Sequence, residues 1–226
     1  VRIDMTPTIR LTTTGLIATA VAFGPARMGF GLFLPAFREE FALSTSMAGM
    51  IASAGFLAFL VALLASAWIC RRFGERVAVT TGAVAASIGF ATVAAAETSG
   101  ILALGIALAG TSAGLCWAPF NDAAERVVPS EARATSLSVV STGTTFGVAA
   151  AAGLALAVTQ GALDWRGAWV GFTLSGVALA AIAQAGLPSS RGRKPAPEGS
   201  PTRSRQQAVL PGALPFPYTA RHSASG

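Results

Sequence analysis

The sequence is short of everything a water-facing surface needs. Only 12% of its 226 residues are charged, against about 25% in an ordinary soluble domain. Half the usual charge cannot coat a soluble surface of this size, which excludes a cytosolic enzyme and a disordered chain. There is one histidine, His222, and there are two cysteines, Cys70 and Cys116. Neither a disulfide framework nor a His/Cys metal site can be assembled from that inventory. The long apolar runs contain no His, Asp or Glu, so an intramembrane enzyme would lack its usual acid and base. No Gly-rich phosphate loop with Lys is present, which leaves nothing to point to ATP. No cofactor is expected.

Apolar residues are what the chain has in plenty, at 53%. Crossing a bilayer as a helix takes about 20 of them in succession. Six runs qualify: Thr12–Leu34, Ser46–Ile69, Val77–Ala96, Ile101–Phe120, Ala134–Thr159 and Trp165–Leu187. Lipid offers the backbone no partners, so each run must be helical. The expected fold is all-α, a multi-pass bundle of six transmembrane helices over residues 12–187. The first run is too long for a signal peptide and is followed by five more.

The net charge of +6 is unevenly placed. Residues 188–226 carry Arg191, Arg193, Lys194, Arg203, Arg205 and Arg221 against Glu198 alone. The basic balance therefore belongs to a tail, and nucleic acid is not an expected partner. That tail also holds seven of the twelve prolines, a composition expected to stay disordered and free to touch anionic membrane lipid.

Arginine placement predicts the orientation, because cytoplasmic loops are enriched in Lys and Arg. With residues 1–11 as a cytoplasmic N-terminus, the inner segments hold thirteen cations and the outer loops only Arg38 and Arg166. Without the tail the ratio is still seven to two. Both termini are expected in the cytoplasm and the protein in the plasma (inner) membrane.

Helices in lipid associate through small residues that let backbones approach. The fourth span has Gly110, Gly114 and Ala118 spaced by four, the fifth Gly143, Gly147 and Ala151, and the sixth Gly167, Gly171 and Ser175. These stripes predict a compact bundle.

Three loop motifs carry a family resemblance. The first inner loop reads Cys70-Arg71-Arg72-Phe73-Gly74-Glu75-Arg76. It resembles the G-x-x-x-D-R-x-G-R-R loop of the major facilitator superfamily, with Arg72, Gly74 and Arg76 matching and Arg71 at the acidic position. The second inner loop, from Glu125 to Ser136, is similar to that family's loop between helices four and five. Asp164-Trp165-Arg166-Gly167 resembles the start of its helix six. The resemblance covers residues 12–187, the N-terminal six-helix half. It implies a secondary active transporter moving a small solute by alternating access, with a second six-helix half or a homodimer needed for transport. The absent half and the tail's composition suit a transporter cut short, even frameshifted after Leu187. The alternative is a non-transporting six-span membrane scaffold or an inactive fragment.

Within the inner loops, Gly74 allows a tight turn. Arg72 and Arg76, with Arg133 nearby, are free to meet Asp122, Glu125 or Glu131 and to brace that face as a gate. The opposing reading makes them solvated charges that only set topology. A faint repeat relates Gly31-Leu-Phe-Leu-Pro35-Ala-Phe37 to Gly114-Leu-Cys-Trp-Ala-Pro119-Phe120, as inverted three-helix repeats would require.

Arg27 is the leading pathway candidate. It sits well inside the first apolar run, where a guanidinium costs at least ~2.5 kcal/mol by insertion scales. Either it faces a water-filled cavity and binds an anionic group such as a carboxylate, or it snorkels or bonds carbonyls freed at Pro25. A small organic anion is the favoured solute for that reason. The resemblance adds Phe30, Phe33 and Trp117 as aromatic walls, with Asn121 and Thr145 as polar contacts.

Overall fold

In the computed structural model, residues 5–187 are described, and they are helical almost throughout. Six helices are long and apolar enough to cross a membrane: Pro7–Leu32, Thr45–Phe73, Glu75–Ala94, Ser99–Val127, Ser130–Thr159 and Trp165–Gly186. They are called spans one to six. The helices outrun the apolar runs at several ends, because a helix continues as long as its backbone bonds are met and arginine stems can lie along it. Span one illustrates this: its helix starts at Met5, not Thr12, and Arg10 donates to the Ala185 carbonyl at 2.7 Å. The expected tail, 188–226, lies outside the described residues.

Local chemistry sets the turns. The Ser44 side chain accepts from Met47 N–H to open span two, Thr98 does the same with Ile101 for span four, and Asp164 accepts from Arg166 and Gly167 for span six. Each satisfies amides that no preceding turn can reach. Between spans two and three the chain reverses at Gly74, whose φ of 88° suits glycine alone.

Span one packs mainly on five, four and six; span four packs on two and three; spans three and six pack on each other. Exchanging one with four, two with five and three with six leaves that scheme unchanged. The inverted repeat suggested by seven matched residues is thus carried by the whole bundle.

The glycine stripes of spans four and five do the close packing. A Cβ at Gly143 or Gly147 would strike the carbonyls of Leu16 or Ala20 in span one, and one at Gly110 or Gly114 those of Gly55 or Phe59 in span two. The two helix pairs are equivalent under the exchange, although the glycines stand on span five in one pair and on span four in the other. The sixth span departs from expectation. A Cβ at Gly171 would meet nothing within 4 Å outside its own helix, and one at Gly167 would meet only the Leu163 side chain. Span six instead approaches Ser87 through Gly176 and Thr14 through Gly186. Spacing alone marked the wrong face.

The two ends of the bundle are packed with different material. At the end carrying the 42–44, 95–98 and 160–164 turns, Phe33, Phe37, Phe90, Trp165, Trp169 and Phe172 form one continuous ring cluster with neighbouring centroids 5.3–6.4 Å apart. At the end bearing residues 5 and 187 the buried side chains include Leu11, Phe120, Ala123, Ala124 and Val128, with no comparable ring cluster among the described residues. There Thr19 donates to the Val140 carbonyl, a bond between spans one and five.

Candidate substrate site

Span one is not a regular helix where it matters. Gly24-Pro25-Ala26-Arg27-Met28 forms a π-helical turn, a feature that inserts an extra residue and recurs at functional sites. Pro25 has no N–H to give the ladder. Gly24 lies against the backbone of Gly147, so close that any side chain there would collide. The turn is therefore wedged against span five, and Arg27 is directed towards spans two and four.

There the guanidinium meets three rings. Its Cζ lies 4.2 Å from the centroid of Phe59, 5.1 Å from Phe56 and 5.7 Å from Phe23. Each such contact stabilises a cation by about 0.5–1 kcal/mol, so three together roughly offset the ~2.5–3.5 kcal/mol cost of an arginine at membrane depth. Rings, however, satisfy only the faces of the guanidinium. Its five N–H donors lie in its plane, and among the described residues no hydrogen bond or ion pair reaches them. Beside them is a cavity of about 170 Å³ between spans one, two and four, bounded by Ala26, Ala52, Gly55, Phe56, Phe59 and Ile106. Gly55 stands ten residues into the 29-residue span two, roughly 15 Å along the helix, so the cavity lies within the span and well away from both its ends.

The other pathway candidates are divided. Phe30 borders this cavity, with its ring stacked on Phe37 at 5.9 Å and 19°. Phe33 does not border it: it is 1% exposed and edge-on to Trp169 and Phe172 in the ring cluster. Trp117 is half-buried and packs edge-on against Phe23 at 5.9 Å, one ring removed from Arg27. Asn121 and Thr145 are exposed and lie outside the cavity lining.

The charged groups at the terminus-bearing end pair differently from expectation. The cross-loop ion pair is Glu75 with Arg126. Arg76 donates to the Gln184 carbonyl at the end of span six, and Arg133 to the backbone carbonyl of Glu125 at 2.9 Å. Arg72 lies over the Phe73 ring at 5.7 Å. Asp122 is exposed, and Glu131 takes a hydrogen bond from Ser130. The signal that could have found Glu75 was in the loop motif. The acid missing at Arg71 reappears four residues later, across the Gly74 turn, on the first residue of span three.

The opposite end carries a counterpart. Arg166, second residue of span six, donates to the Ala94 and Ala96 carbonyls at 3.0 and 2.8 Å, and to Glu40 at 2.9 Å. Arg76, second residue of span three, makes the equivalent reach to the end of span six. Arginine thus caps the partner helix at both ends, and an ion pair ties in a further helix: the short helix Leu34–Phe41 after span one through Glu40, and span four through Arg126.

A six-span bundle whose helix contacts repeat between its two three-helix halves has the architecture of a membrane protein built from inverted repeats. The Major Facilitator Superfamily profile matches residues 16–221, most of the chain, and the chain belongs to that family. Its six helices fit the N-terminal half of the fold, and the match continues beyond Leu187 into residues outside those described. Family members are transporters of small solutes rather than enzymes. No curated protein matches the chain.

Proposed function

We propose that the chain acts as the N-terminal half of a secondary active transporter that moves a small organic anion by alternating access, with Arg27 as the solute's charge contact. It works in the plasma (inner) membrane with both termini in the cytoplasm, and transport requires a second six-helix half or a second copy. The observation that carries this reading is a guanidinium within an apolar span that borders a cavity and whose donors have no hydrogen-bond or ion-pair partner among the described residues. Phe30 borders the path, and Trp117 supports it through Phe23. Thr145 and Asn121 lie outside that cavity, on spans five and four, and serve further along the route. Glu75–Arg126 and Arg76–Gln184 brace the cytoplasmic face, with Gly74 shaping the turn.

Cysteine accessibility tests it. With Cys70 and Cys116 replaced by Ala in the full chain in membranes, Arg27→Cys is expected to react with a small water-soluble thiol reagent. Leu174→Cys, on the exposed face of span six, is expected to stay unlabelled. Equal protection of both would refute the pathway assignment.

A further inference from the structure

The lining of the Arg27 cavity narrows the solute beyond "anion". Resting on the reading that Arg27 lines the pathway, we propose that the site takes a compact organic monoanion, a monocarboxylate with one apolar ring or an equally small branched body.

Charge count comes first. Arg27 is the one ionisable side chain bordering the cavity. A monocarboxylate leaves the pair neutral within the span. A phosphate or dicarboxylate would leave uncompensated charge there, and an organic cation would meet like charge. The geometry of the donors comes next. Phe59 and Phe56 hold the guanidinium by ring contacts, so an acceptor must come in its plane. Two parallel N–H···O bonds to a planar carboxylate suit that approach.

The remaining walls set the body of the solute. Apart from Arg27 they are glycine or carry only carbon and sulfur in their side chains: Ala, Met, Phe, Gly and Ile. A sugar or other polyhydroxylated solute would lose its water and find no side-chain partners. An apolar body gives up nothing and gains contact with Phe56, Phe59 and Ile106. Volume then bounds its size: the cavity is about 170 Å³, and a cavity of about 150 Å³ accommodates benzene. One ring therefore fits within it.

Equilibrium binding of radiolabelled benzoate to the purified full chain in lipid nanodiscs is the test. Unlabelled cyclohexanecarboxylate, benzyl alcohol, succinate, inorganic phosphate and glucose serve as competitors. Benzoate is expected to bind and to be displaced by cyclohexanecarboxylate. Benzyl alcohol, of similar shape but without charge, should compete at least ~10-fold more weakly, as the loss of a charge-assisted bidentate contact implies. Arg27→Gln should abolish binding. Ala52→Leu keeps the charge but fills the cavity, and should weaken benzoate more than tenfold; circular dichroism and size-exclusion profiles monitor both variants for folding. Displacement by phosphate or succinate as readily as by cyclohexanecarboxylate would overturn the monoanion proposal while leaving Arg27 as an anion contact. Benzoate binding unaffected by Arg27→Gln, or no benzoate binding to a folded chain whose Arg27→Cys variant labels, would overturn it as well. Failure of Arg27→Cys to label would bring down the pathway reading itself.

Discussion

The two ends of the bundle follow one wiring plan in different materials. At both, the second residue of a helix is an arginine that reaches the last carbonyls of its partner: Arg166 to Ala94 and Ala96, Arg76 to Gln184. At both, an ion pair ties in a further helix. The end distal to the termini adds a core of large rings centred on Trp169, which is fully buried. The terminus-bearing end has no such cluster among the described residues, and its buried side chains are smaller apart from Phe120: Leu11, Ala123, Ala124 and Val128. The lesson is that an inverted repeat constrains topology and charge placement but leaves packing free.

The largest expected effect separates the two materials. Trp169→Ala removes a ring that touches Phe33, Phe37, Phe90 and Phe172, and such truncations cost about 3–5 kcal/mol. Val140→Ala, on the Thr19 contact at the other end, removes two methyl groups and should cost about 1–2 kcal/mol. Apparent melting temperatures of the detergent-purified chain, compared side by side, measure this. Equal losses would show that the ring cluster is not the firmer end.

The second effect probes what the ends share. Gly147→Ala and Gly110→Ala place a methyl against backbone in the equivalent one–five and four–two helix pairs. Overpacking of this kind costs about 1–3 kcal/mol, so the two variants should lose similar stability. Gly171→Ala, with open space beside it, should lose almost nothing. A Gly171 variant as damaging as the others would restore the stripe read from spacing in span six.

That stripe shows where sequence reading stops. Hydropathy runs exposed all six spans because lipid permits only apolar helices, and Arg27 stood out because a charge in such a run has few explanations. The face a residue occupies is a different matter. The resemblance groups Phe33 with Phe30 and Arg27 as one wall, but the helix is interrupted at Phe33 (φ −94°, ψ 4°) before it resumes as Leu34–Phe41. The chain passes from one helix to the next there, and Phe33 ends among the rings. Gly167 and Gly171 had the right spacing on a helix whose buried side carries Gly176. Pairing across loops was also illegible, since Arg72, Arg76 and Arg133 each had several acids within chain reach. Only the fold chose Glu75 for Arg126 and carbonyls for Arg76 and Arg133.

The smallest effect is also the one that best separates the two ion pairs. At the terminus-bearing end, the pair and the helix cap use different residues: Glu75 holds Arg126, and Arg76 holds Gln184. At the distal end Arg166 does both tasks. Glu75→Arg should cost about 1–2 kcal/mol, since the acid is buried, its partner is half-exposed, and the change crowds it against Arg76 and Arg126. Adding Arg126→Glu should recover most of that loss, because the reversed pair can form with the cap untouched. Reversing the other pair follows a different course. Glu40→Arg alone should cost under about 1 kcal/mol, both partners being well exposed. Adding Arg166→Glu should worsen the loss, because a carboxylate cannot donate to the Ala94 and Ala96 carbonyls. A double-mutant cycle on melting temperature measures both couplings. Rescue at both ends would mean that the carbonyl contacts of Arg166 contribute little, and that the ends differ in their rings alone.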